Sequence, residues 1–388
     1  MGGLRSLLRG DLAAFLIVFA ILVVLVAIAP RAFEVARRPP VSTTHDGRVV
    51  RVLEERHEQT LKGTETQRLL EVAMDDRVIQ VEDLQSDGEV NLVPAQPGDR
   101  VLLQSVPGPD GDRFYIVDHA RSRVLWVMGG AFALLVLLVG RWHGARSLIA
   151  LGVTYLILMR FIIPGILSGY SPLVISLIGG IGIMTSTLAL AHGIDRKSTA
   201  AIGGTAVALV LIVVLSQLAI GVAKLTGLVG DDMASTVFVL FDGAIDARGL
   251  LLSGILIGAL GALDDVTMTQ SSAVFELRDA NPALRVRDLH ARGMRIGRDH
   301  IASIVNTLVL AYAGASMPLL VILASQTEGF GTLLNREFLA AEVVRTVVGS
   351  VGIVAAVPLT TAIAAWFAAR ESAQPAPPAG PAASTPPA

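Results

Sequence analysis

Two patterns alternate along the chain. Near the start, "LAAFLIVFAILVVLVAIA" at 12–29 is apolar on every side of a helix, close to the roughly 20 residues that cross a bilayer. Arg5 and Arg9 precede it, and no small-residue cleavage signature followed by a soluble chain comes after it. It therefore reads as a signal-anchor helix at 1–30 with its N-terminus in the cytoplasm. From Val124 the all-round apolarity returns at 124–140, 147–163, 171–192, 198–225, 249–268, 299–325 and 342–369. Together with the first block this predicts about eight transmembrane helices, the last expected to kink at Pro358.

The stretch 31–123 alternates on a period of two instead. "GRVVRVLE", "RLLEVAM", "RVIQVE", "RVLLQSV" and "RFYIVD" are short β-rich runs, separated by turn signals such as "SDGE", "QPGD" and "PGPDGD". They predict a small β-barrel-like domain. The fold class is thus a mostly α polytopic membrane protein with a β-rich domain at 31–123, a seven-helix membrane domain at 124–370 and a Pro/Ala-rich tail at 371–388. That tail has few groups to bury and is expected to be disordered.

Composition agrees. The chain has 388 residues, 53% of them hydrophobic and 16% charged, where a soluble domain carries about 25% charged residues. Its net charge of −2 points to no nucleic-acid partner, and the lack of cysteine removes disulfides, thiolate metal sites and cysteine catalysis. Charge position sets the expected topology. Arg141, His143 and Arg146, then Arg196 and Lys197, then Arg285, Arg287, Arg292, Arg295 and Arg298, and finally Arg370 all fall on one side if the N-terminus is inside. Both termini are then cytoplasmic, and 31–123 is extracytoplasmic.

The candidate chemistry lies in "GALGALDDVTMTQSS". Gly258, Gly261, Asp265, Thr269 and Ser272 recur at helical spacing, with Asp264 beside that stripe and Gln270 next after Thr269 in the chain. In "RIGRDHIASIVNTLVLAYAGAS", Asp299, Ser303 and Asn306 share a face, with His300 adjacent. The two helices run in opposite directions, so Asp299 is expected at the level of Asp264 and Asp265. Arg345 lies near the outer end of the last span, where the preceding loop offers Asp231, Asp232, Asp242 and Asp246. Ionisable groups within spans are costly and tend to line pathways. The expected pathway residues are therefore Asp264, Asp265, Thr269, Gln270, Asp299, His300, Asn306 and Arg345. Such hard oxygen atoms suit protons or hard cations, although the residue types identify no particular metal or cofactor. The same aspartates also fit plainer roles as helix ends or N-caps.

The stretches "GALGALDDVTMTQSSAVFEL" and "GMRIGRDHIASIVNTLVLAYAGASMPLL" resemble the YibE/F-like family of multi-pass bacterial membrane proteins. The resemblance spans 124–369 and implies a bacterial cytoplasmic membrane protein with a transport role. It matches Asp264, Asp265, Thr267, Thr269 and Gln270, then Gly293, Asp299, His300 and Asn306, and it assigns no catalytic role to any of them.

Three functions are compatible with these patterns. The first is a permease for a small ion or solute, coupled to protons or cations. The second is an accessory subunit that docks a soluble cytoplasmic partner at 276–298. The third is an intramembrane hydrolase using paired aspartates, against which stands the lack of H-E-x-x-H and G-x-S-x-G signatures. The chain is accordingly expected not to be an enzyme.

Overall fold

The computed structural model describes residues 16–33, 43–60, 63–74, 77–86, 94–108, 111–228, 245–325, 327 and 329–370. Arg5, Arg9, Asp231, Asp232, Asp242 and the tail at 371–388 lie outside the described residues. The chain divides into two units, one of residues 37–141 and one of 1–36 with 142–388. The boundary falls at 141 rather than at 123, because the first turns of the helix that follows the barrel group with it.

In the first unit, strands β1 (Thr43–Thr60), β2 (Gly63–Met74), β3 (Arg77–Ser86), β4 (Arg100–Gly108) and β5 (Gly111–His119) close a barrel in the order β1-β2-β3-β5-β4. Neighbours run antiparallel except β3 and β5. The period-two pattern explains the closure. Leu70, Val72 and Met74 of β2 and Val101 and Leu103 of β4 turn inward and are buried, while the residues between them face out. Two irregularities in β1 bend this 18-residue strand so that it serves both β2 and β4. A Cβ at Gly47 would come 2.5 Å from Val72 Cγ1, so β1 crosses the core there only as glycine. On the outer surface the Arg51 guanidinium donates twice to the Glu71 carboxylate, at 2.7 and 2.9 Å, and holds it below the usual carboxylate range.

The second unit is helical. Its elements are α1 (Leu16–Ile28), the part of α2 (Ser122–Ile157) after Arg141, α3 (Ile163–Leu167), α4 (Pro172–His192), α5 (Arg196–Val222), α6 (Ala247–Ala280), α7 (Val286–Ala315), α8 (Met317–Ser325), α9 (Phe330–Leu334) and α10 (Glu337–Arg370). Start signals match local chemistry. Pro172 opens α4 and Gly193 follows its end at φ +83°, while the Asp195 carboxylate caps α5 by accepting from the Ser198 N–H at 2.7 Å.

Among the described residues, five helices are long and apolar enough to cross a membrane: Ser122–Leu167, Pro172–Ala191, Arg196–Val222, Ala247–Ala280 and Glu337–Arg370. The eight expected windows fall on the described helices as follows. The windows at 124–140 and 147–163 are two arms of the stretch Ser122–Leu167, divided at Arg141, where φ is +50° and ψ −125°. The window at 299–325 divides into polar-faced α7 and nine-residue α8. The first window is represented by the shorter helix α1. Helix α10 runs as one helix through Pro358.

Helix α6 is the centre of this unit, packing against α4, α5, α7 and α10. Ile255, Leu256 and Leu263 from α6 are fully buried with Met184, Leu209 and Ile212. Small residues set the helix separations. In α4, Gly179 faces Ile162, Gly180 faces Leu256 and Leu260, and Gly182 faces Leu25, so one glycine cluster receives three neighbours. Gly204 of α5 lies under Thr360 of α10: an added Cβ would stand 2.9 Å from Thr360 Cβ and 3.1 Å from its Cα, and would also meet its hydroxyl. Gly204→Ala is therefore expected to separate α5 from α10 and to cost about 1–3 kcal/mol, read as a lower melting temperature of the detergent-purified protein. Gly152→Ala, with open space around it, is expected to melt unchanged.

Candidate functional site: a carboxylate pocket between three helices

Asp264 sits near the middle of the 34-residue α6. Its neighbours Leu263 and Val266 are buried against the core, which fixes the rotation of the helix. That rotation turns Asp264 toward α4. The Thr187 hydroxyl lies 2.8 Å from Asp264 Oδ2 and also 3.0 Å from the Met184 carbonyl one turn back. Asp264 Oδ1 is buried and has no hydrogen-bond partner. Asp265, about 100° further round the helix, is exposed. The two adjacent carboxylates thus diverge.

Both line one cavity of about 320 Å³ between the post-141 arm of α2, α4 and α6. Hydroxyls from Ser147, Thr154, Thr187 and Thr269 share its wall with Ala150, Leu151, Leu188, Ala191 and Met268. Among the described residues, no basic side chain is part of that wall. The chemistry offered is that of hard oxygen atoms with net negative charge beside an apolar surface.

Of the eight residues expected on a pathway, the cavity gathers Asp264, Asp265 and Thr269. Gln270 is elsewhere. It is fully buried between α6, α7 and α10, and its amide NH₂ donates to the Gly293 carbonyl at 2.8 Å and to the Thr361 hydroxyl at 2.7 Å. Gly293 and Gly297 leave room for it, since a Cβ at Gly297 would come 3.0 Å from Gln270 Oε1. Gln270 belongs to a buried polar belt that includes the Thr205–Thr267 hydroxyl pair at 2.8 Å and the bond from Ser271 Oγ to the Lys197 carbonyl at 2.8 Å.

Asp299, His300 and Asn306 do not join the cavity wall. Helix α7 meets the bundle through Leu289, Gly293 and Gly297, all buried. Asp299 lies two residues beyond Gly297, about 200° around the helix, so it points away from that contact; Asp299 and Asn306 are exposed and His300 is half-buried. The expectation of matched height ignored this rotation. Arg345 is tied to its own helix: its guanidinium donates to Glu342 Oε1 at 2.6 Å, and Glu342 Oε2 lies 3.5 Å from the Ser316 hydroxyl.

The segment 276–298 is not an open loop. Helix α6 continues to Ala280, α7 starts at Val286, and the Arg278 guanidinium closes the turn by donating to the Leu284 carbonyl. Leu284 and Leu289 are buried with Phe275 and Ala365. A soluble partner would meet its exposed residues, among them Arg285, Arg287, Asp288 and Arg292.

Sequence reasoning missed Ser147, Thr154 and Thr187. Ser147 and Thr154 are scattered hydroxyls and Thr187 ends the run Thr185–Ser186–Thr187; only the packing of α2 and α4 on α6 gives them significance. Among the described residues, no three His, Asp or Glu side chains cluster as a metal site.

A family model described as YibE/F-like protein matches residues 128–370, which include the whole cavity wall. No curated protein and no solved structure gives a significant match.

Gln270→Leu is expected to leave the Gly293 carbonyl and the Thr361 hydroxyl without their buried donor. That costs about 1–3 kcal/mol, seen as a lower melting temperature in detergent, whereas Asp265→Asn on the exposed side melts as the unsubstituted protein does.

Proposed function

The chain belongs to the YibE/F-like family, and we propose that its helical bundle is a membrane transporter coupled to protons or small cations, with Asp264 as the coupling carboxylate. One observation carries this reading: the half-satisfied Asp264 on the wall of a cavity, near the middle of an apolar helix. An ionised carboxylate accepts several hydrogen bonds and needs counter-charge when withdrawn from water. Thr187 supplies one hydrogen bond, and no described wall residue supplies positive charge. A proton or a small cation entering the cavity completes the site, and its departure leaves the carboxylate again short of partners. That alternation is what coupling requires.

The cavity of about 320 Å³ is at the small end of ligand sites, which run roughly from 300 to 1,000 Å³. This favours an ion or a small solute. The divergence of Asp264 and Asp265 argues against a hydrolase, because paired aspartates acting as acid and base must both reach one scissile bond and its attacking water. In the proposed topology the arms of Ser122–Leu167 make two crossings and α7 with α8 makes one. With α1, α4, α5, α6 and α10 the crossings number eight. Both termini are then cytoplasmic, the barrel is extracytoplasmic, and the membrane is the cytoplasmic membrane of a bacterium.

The test is flux. Protein reconstituted in liposomes with an internal pH-sensitive dye is challenged with Na⁺, K⁺ or Mg²⁺ gradients. The unsubstituted protein is expected to move protons with at least one of them. At equal reconstitution Asp264→Asn is expected to lose at least about tenfold of that rate, and Asp299→Asn to keep it. Full flux in Asp264→Asn overturns the assignment.

A further inference from the structure

The cavity beside Asp264 is built for one unit of positive charge. Of its two carboxylates, Asp264 keeps one oxygen, Oδ1, buried and without a hydrogen-bond partner, while Asp265 stands about 100° further round the helix and is exposed. A single inward negative charge is therefore short of partners. Among the described residues no third acidic side chain joins these two, and the rest of the wall is hydroxyl or apolar.

The hydroxyls narrow the occupant further. Each has one proton to give and two lone pairs. The Thr154 hydroxyl gives its proton to the Ala150 carbonyl one turn back, at 3.1 Å. Thr187 has two acceptors for its one proton, the Met184 carbonyl at 3.0 Å and Asp264 Oδ2 at 2.8 Å. With those protons engaged, the two side chains have only lone pairs left to offer. Such oxygens ligate a hard cation. An anion needs donors instead, and it would also meet the charge of Asp264.

We propose that the cavity takes a monovalent metal cation of the Na⁺ class on Asp264, with hydroxyl oxygens of the wall, that of Thr187 first, replacing part of its water. Asp264 is here the coupling carboxylate of the transport reading, on which this assignment rests. Charge selects a monovalent ion over a divalent one. Ca²⁺ takes six to eight oxygens, several of them carboxylate, and Mg²⁺ gives up its water reluctantly. Either ion on the one inward carboxylate leaves a positive charge uncompensated beside an apolar surface, and an unpaired charge there is costly. A monovalent cation neutralises Asp264 one for one.

Binding tests the ion without assuming transport. The purified full-length protein in detergent is equilibrated with radiolabelled Na⁺ at one mildly alkaline pH, with ionic strength held constant by choline chloride. Saturable binding is expected. Excess unlabelled Na⁺ or Li⁺ is expected to displace it fully, and Mg²⁺ or Ca²⁺ at the same ionic strength to displace less than about one fifth. Asp264→Asn is expected to lower bound Na⁺ at least about tenfold, and Asp299→Asn to leave it unchanged. The competition itself needs no substitution. No saturable Na⁺ binding, or displacement by Mg²⁺ or Ca²⁺ more effective than by unlabelled Na⁺, overturns the proposal, and in a protein that passes the flux test it leaves the transport reading standing. Saturable binding that needs Asp264, in a protein that moves no ion, supports the ion assignment and overturns transport alone.

Discussion

Withdrawing one carboxylate from water inside an apolar bundle is the constraint around which the membrane part of this protein is arranged. Asp264 receives one hydroxyl, from Thr187, and its second oxygen is buried without a partner. Isolated, such a group costs several kcal/mol. The surrounding packing must therefore hold it in place, and the cavity beside it offers the room in which, in the proposed function, a proton or cation would neutralise it. The contrast with Gln270 is informative. Two turns of the same helix carry one polar side chain whose amide NH₂ makes two hydrogen bonds within the bundle and serves cohesion, and one carboxylate that is half-satisfied and faces a void. Satisfaction, more than residue type, separates the two roles.

Cohesion comes from small residues and from the buried polar belt. Between lipid-solvated helices the hydrophobic effect gives little net attraction, so close contact and interhelical hydrogen bonds hold the bundle. Glycines 179, 180 and 182 admit Ile162, Leu256 and Leu25, and Gly204 admits Thr360. The hydroxyl pair Thr205–Thr267 and the Gln270 amide join α6 to α5, α7 and α10. These contacts surround α6 on the sides that the cavity leaves free, so they fix the rotation that aims Asp264 at α4.

Much of the architecture was legible in the chain because periodicity survives folding. Alternation in 43–119 gave five strands, and inward Leu70, Val72 and Met74 are the same positions that alternation selects. The apolar blocks became helices, and the glycine-rich stretch of α4 proved to be a packing surface. The site was legible only in part. Asp264, Asp265 and Thr269 share a cavity, but spacing along one helix gives its faces and not which neighbour each face meets. Asp299 has a suitable height and an unsuitable rotation, and Arg345 is held by Glu342 on its own helix. Thr187 carried no local signal, since its importance lies wholly in a contact across 77 residues of chain.

The central claim is that water and small ions reach Asp264 while the protein sits in its membrane. A charged, membrane-impermeant thiol reagent measures this directly on the naturally cysteine-free chain. Thr154→Cys and Thr269→Cys, whose positions line the cavity, are predicted to react in intact membranes at rates approaching that of a cysteine in a soluble loop, while Leu218→Cys on the lipid-facing side of α5 stays unmodified. Cavity cysteines as inert as Leu218→Cys would mean a dry, closed pocket and would contradict the account.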